Sequence, residues 1–203
     1  MRNLFNTLRN ICVAAVTMLG VAGCLPVKET YFEPSGSGIV ARKGFCNGRY
    51  GAPQIASLDL DASRIGITLS YNGLRDTNPA ASDDSIFLRL SMTIPENMSL
   101  TIDPDSIRVE TLDGYALVRL SQPLAILASS YPAKLPPQKI LGKTTFSSLA
   151  KKQYFTLQIE YASRGLSDFS VYPADIEWNG KRYIFPEIDF KKKTYSEMLI
   201  LNC

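Results

Sequence analysis

Asp59 and Asp61, Asp175 and Glu177, and Glu187 and Asp189 each stand two residues apart in β-rich stretches. On an extended chain, residues i and i+2 share a face, so each pair could supply an acid and a base to a glycosidic bond. Alternation on the solvent side of a strand produces the same spacing without chemistry, and that is the expected meaning of all three. Ser148-Leu149-Ala150-Lys151 satisfies S-x-x-K, in which a neutral lysine takes the serine proton. Neither companion motif of the penicillin-binding enzymes follows it, so the spacing is read as a coincidence within a helical turn. The chain contains no histidine. That removes Ser-His-Asp and Cys-His nucleophiles, histidine-based zinc hydrolysis and imidazole proton transfer. Asp103 and Asp105, either side of Pro104, and Asp83-Asp84 offer oxygen ligands to a cation. They lack the EF-hand spacing and are expected to form turns. Ser35-Gly36-Ser37-Gly38 is not a phosphate loop, because no G-K-[ST] follows it. No catalytic residue, metal site or cofactor is expected.

The remaining reactive side chains are four cysteines, at 12, 24, 46 and 203. The first ten residues carry Arg2 and Arg9 and no acid, and Ile11 to Ala22 are apolar apart from Thr17. A positive segment, an apolar core and then small residues is the layout of an export signal. The apolar run falls short of the roughly 20 residues that a spanning helix needs. Val21, Ala22, Gly23 and Cys24 follow it. In these positions the chain resembles the bacterial lipoprotein signal, whose lipobox is an aliphatic residue, two small residues and a cysteine. The resemblance covers the first 24 residues only. It implies that the Cys24 thiol takes a diacylglycerol, that the chain is cut before it, and that the new amino terminus is acylated. Several acyl chains on one residue anchor stably where a single chain does not. In that family an aspartate after the cysteine favours inner-membrane retention; Leu25 stands there instead, which implies the outer membrane.

Cys12 leaves with such a signal and Cys24 is consumed by lipid, so Cys46 and Cys203 remain. In an oxidising compartment the expectation is one disulfide between them, two free buried thiols being the alternative. By chain entropy, closing that loop would contribute roughly 5 kcal/mol. Without Arg2 and Arg9 the 22 basic residues fall to 20 against 19 acids, a balance that gives no reason to expect nucleic acid as a partner. Lys191-Lys192-Lys193 and Lys151-Lys152 are read as solvated surface.

The elements that must position these groups are strands. In Ser85–Ile94, Ile86, Leu88, Leu90, Met92 and Ile94 fall on one face and Arg89, Ser91 and Thr93 on the other, which a helix would scramble. The same alternation runs through Ile65, Ile67, Leu69 and Tyr71, through Ile107 and Val109 with Arg108 and Glu110 outward, and through Phe155, Leu157, Ile159 and Tyr161. Asn179-Gly180 lies between two β-rich runs and suits a type I′ turn. Such a turn pairs Trp178 with Lys181, Glu177 with Arg182 and Ile176 with Tyr183, and Glu177 with Arg182 is expected as a cross-strand ion pair. The fold class expected is all-β, an antiparallel β-sandwich of the immunoglobulin-like kind with one long irregular insertion.

Residues 1–23 are accordingly expected as the signal peptide, 24–44 as the lipidated N-terminus with a flexible, proline- and glycine-containing tether, and 45–203 as one β-sandwich domain. Ser121 to Lys152 carries four prolines and no sustained alternation, with a short helix expected at Ser147 to Lys152. Its apolar side chains have two readings. They could contact a partner, through Tyr131, Leu135 and Ile140 above all, or they could cover an open edge of the sandwich. The function expected is that of a non-catalytic envelope lipoprotein, anchored by lipid, that binds an envelope protein or a cell-wall polymer. A carboxylate-dependent hydrolase of envelope polysaccharide and a purely structural lipoprotein are the alternatives.

Overall fold

Alternating apolar residues condense into antiparallel sheets over one shared core in the computed structural model, which describes residues 24–43, 45–46, 49–50, 52–61, 63–71, 84–129, 136–148, 151–163 and 168–200. In chain order the strands are β1 (Cys24–Ser35), β2 (Val40–Arg42), β3 (Phe45–Cys46), β4 (Arg49–Tyr50), β5 (Ile55–Leu60), β6 (Ser63–Tyr71), β7 (Ser85–Ile94), β8 (Met98–Ile102) and β9 (Arg108–Thr111). They continue with β10 (Leu124–Ala128), β11 (Gln138–Lys139), β12 (Thr144–Ser148), β13 (Gln153–Ala162), β14 (Asp168–Tyr172), β15 (Ile176–Trp178), β16 (Lys181–Tyr183) and β17 (Ile188–Ile200). The helical content of the described residues is a single 3-10 turn at Pro104–Ser106. The all-β class is as expected.

Among the described residues, one sheet runs β1-β17-β14-β9, a second β11-β10-β13-β7-β6-β5-β2 and a third β12-β8-β15-β16, with β3 and β4 forming a small pair apart. The long strands of the second sheet are in the register that their alternation demands. Leu157 lies opposite Leu90 and Ile159 opposite Leu88, while Ile67 lies opposite Leu90 and Leu69 opposite Leu88. All of these side chains are buried. In the third sheet the inward set is Leu100, Ile102, Phe146, Ile176 and Trp178, and in the first it is Phe32, Val109, Phe169, Val171, Ile188 and Phe190; both sets join the same core. Each such aliphatic or aromatic side chain contributes about 1.5–3 kcal/mol when withdrawn from water. A one-residue slip in any strand would turn its set outward.

The β15–β16 hairpin forms as read, with Ile176, Glu177 and Trp178 opposite Tyr183, Arg182 and Lys181. Asn179 and Gly180 take φ of 48° and 80°, the left-handed pair that a type I′ turn requires.

Two expectations are corrected. The stretch expected as a flexible tether supplies β1, which pairs antiparallel with β17 from Cys24–Ile200 to Ser35–Asp189. Tyr31 and Phe32 are buried there, and the Phe32 ring meets Phe169 edge-on at 5.6 Å between centroids. Apolar burial outweighs the turn-forming residues, which gather just beyond it: Gly36 and Gly38 take φ of 156° and 71° between β1 and β2. The second correction concerns Ser121 to Lys152. It is not one irregular insertion, because it contributes β10, β11 and β12. The run Leu124-Ala125-Ile126-Leu127-Ala128 pairs with β11 and β13, and it lacks alternation in sequence because apolar residues stand on both of its faces, none of them fully exposed. Ser147 and Ser148, where a helix was expected to begin, are the end of β12 and lie opposite Ser99 and Met98. Phe146 alternates with exposed Thr145 and Ser147, which favours a strand.

Candidate functional site

The first and third sheets meet at an open depression of about 580 Å³. β14 ends there at Tyr172, the link of residues 173–175 turns the chain, and β15 and β16 form one wall. Thr101 of β8 and Glu177 of β15 stand on that wall because alternation sends their neighbours Leu100, Ile102, Ile176 and Trp178 into the core, and Arg182 of β16 lies opposite Glu177. Arg108 of β9 lies opposite Tyr172 in the ladder, and its guanidinium sits over the Tyr172 ring, 4.8 Å from the centroid. Asp103, Ser106 and Lys143 close the rim.

The polar groups of this depression are held by one another and by neighbours just outside it. Arg182 donates to the Asp175 carboxylate through Nε, at 3.0 Å, and through Nη2. Lys143 Nζ lies 3.4 Å from Glu177 Oε2. Arg108 lies 3.3 Å from Glu110. The Tyr172 hydroxyl donates to Glu187 Oε1 at 2.7 Å. That bond to a carboxylate, with the charge of Glu187 behind it, pushes the phenol up to about 12, because ionising it would place two negative oxygens together. Thr101 and Thr145 share a hydroxyl hydrogen bond of 2.8 Å. The cations Arg108, Lys143 and Arg182 match the anions Asp103, Asp175 and Glu177 in number, so the lining is balanced in formal charge.

The six carboxylates singled out by spacing do not converge on one centre. Asp59 pairs with Arg64 at 2.6 Å across the β5–β6 ladder, and Asp61 with Lys181 at 3.0 Å. Glu187 serves Tyr172, and Asp189 accepts from Ser170 Oγ at 2.8 Å. Only Asp175 and Glu177 line the depression. Their side chains are 40 % and 43 % exposed, whereas the acid of a glycosidase is tuned by withdrawal from solvent. The expected Glu177–Arg182 ion pair is corrected. The two residues do lie opposite each other, but Arg182 turns to Asp175 and Glu177 turns to Lys143, a residue that sequence spacing could not bring near.

The other candidates resolve into structural roles. Ser148 is fully buried, and its hydroxyl donates to the backbone carbonyl of Lys151. Its proton therefore points at an amide oxygen, with no amine base on it. Asp103 caps the 3-10 turn, accepting from the Asp105 backbone N–H at 3.0 Å, as turn formation predicts. Lys193, in the basic run, pairs with Glu33 across the β1–β17 ladder. Ile140 is corrected as a partner residue: it is 6 % exposed and belongs to the core. Tyr131 and Leu135 lie outside the described residues, as do Val21, Ala22, Gly23 and Cys203. Cys24 opens β1 and Cys46 closes β3.

A second surface was missed. After β9 the chain turns at Leu112-Asp113-Gly114, with Gly114 at φ 83°, and returns beside β9 through Leu117 N–H to Val109 O at 2.8 Å. It then crosses to β13, where the Ala162 N–H donates to Val118 O at 2.9 Å. Arg119 fastens this crossing with bonds of 2.7 Å to Asp105 Oδ1 and to the Pro104 carbonyl. Leu112, Tyr115, Val118 and Leu120 are left exposed along it. Asp113-Gly114 between apolar runs was the available signal. The depression had no such signal, since its lining comes from segments far apart in the chain.

No model of a known protein family matches the chain, and a search of curated proteins finds no match either.

Proposed function

We propose that this chain is an outer-membrane lipoprotein, anchored through acylated Cys24, whose β-sandwich of immunoglobulin-like arrangement binds a component of the cell envelope without catalysis. The observation that carries the reading is the lipobox Val21-Ala22-Gly23-Cys24 behind a positively charged and apolar leader. Its terminal cysteine is also the first residue of β1, so the anchor would join the folded body with no tether between. Against the hydrolase alternative stands the half-exposed, cation-paired state of Asp175 and Glu177. Three antiparallel sheets on one core support the sandwich, whose end loops and edges suit binding.

The test is Cys24→Ala. The reading requires the substituted protein to lose its acyl mass and to leave the membrane fraction, with both retained in the parent. Unchanged acylation of the alanine variant would sink the anchor, and release of sugar from purified cell wall by the parent would sink the non-catalytic assignment.

A further inference from the structure

We propose that the depression between β14, β15 and β16 is a binding site for a neutral saccharide, a mono- to trisaccharide segment of an envelope glycan. The inference rests on the envelope-binding reading above and names its ligand. A concavity of about 580 Å³ lies within the roughly 300–1,000 Å³ of small-ligand sites. Its lining sorts ligands by charge. With Arg108, Lys143 and Arg182 matched in number by Asp103, Asp175 and Glu177, neither an anion nor a cation gains net formal attraction, and the three cations already pair with Glu110, Glu177 and Asp175, so an anion would have to break a pair to bind one of them. A hydroxylated neutral ligand needs no such break. A sugar hydroxyl is at once donor and acceptor, so it can bridge the free edges of the Asp175–Arg182 pair while that pair stays closed. The planar groups already fixed by their neighbours, Arg182 on Asp175 and Arg108 on the Tyr172 ring, are ordered before any ligand arrives, and pre-ordering lowers the cost of binding. Phe185, packed partly against the core, supplies an apolar patch among the polar groups for the C–H face of a sugar ring.

The experiment uses the full lipoprotein in a detergent without a sugar headgroup, titrated by calorimetry with chitotriose and maltotriose. Oligogalacturonate, a chitosan trimer and a zwitterionic tripeptide are the charged comparators. Saturable binding of a neutral trisaccharide is expected, weakened at least tenfold by Arg182→Ala and by Asp175→Asn, and unaffected by Lys152→Ala. The melting temperature of each variant, unchanged, shows that the fold is intact. Binding that survives both substitutions overturns the site. Binding of the anionic, cationic or zwitterionic probe alone overturns the ligand class, and so does the absence of binding to any saccharide. If that absence accompanies normal acylation and membrane fractionation, the ligand proposal fails while the anchored reading stands. Loss of acylation in the parent would instead remove the anchored reading.

Discussion

At the scale of single residues, partner choice follows what tertiary packing brings within reach. Arg182 takes Asp175, and its cross-strand neighbour Glu177 takes Lys143. Both pairs are well exposed, and such pairs contribute about 0–1 kcal/mol, so they serve to order the depression more than to hold the fold. Tyr172 gives a sharper prediction. Its phenol, pushed up to about 12 first of all by the bond to Glu187, should titrate lower in Glu187→Gln, shifted toward its ordinary value, as read by ultraviolet difference titration against Tyr172→Phe. The sign follows from the raised folded value: the bond favours the native state below pH 10, and its contribution disappears as pH rises through about 12. Sequence could list Tyr172 and Glu187 but gave no reason to join them.

At the scale of elements, what could be read depended on how each strand is covered. Ser85–Ile94 has one face in the core and the other less buried, so its period of two was visible in the sequence, as was the Asn179-Gly180 hairpin. The strand Leu124–Ala128 concealed itself because apolar residues fill it without a gap, and periodicity alone cannot tell such a run from other buried segments. Ile140 and Leu141 separate the two readings of that region. They are adjacent, yet Ile140 is 6 % exposed and Leu141 70 %. Ile140→Ala should cost about 2–5 kcal/mol, the range for a buried isoleucine, and Leu141→Ala should stay within about 0.5 kcal/mol. Urea denaturation of the two variants measures the contrast. Equal and small effects would mean that Ile140 does not cover the core.

At the scale of the whole molecule, the body begins earlier than composition suggested. Proline and glycine marked residues 24–44 as a tether, whereas Phe32 and the pairing of β1 with β17 place residues 24–35 in the first sheet, and β2 joins the second. Phe32→Ala should therefore destabilise the protein by about 3–5 kcal/mol, measured as a shift in the denaturation midpoint. A tether would show no change. The sequence by itself determined the strand class, the inward faces of the long strands, the type I′ hairpin and the absence of imidazole chemistry. Each of these depends on local stereochemistry or on composition, which a single chain displays in full. Only the tertiary structure decided that β1 joins β17, that Ile140 is core, and that Arg108, Lys143, Tyr172 and Asp175 surround one depression. These are contacts between segments distant in sequence, and no local preference encodes them. They follow from the requirement that every strand bury its apolar face against another.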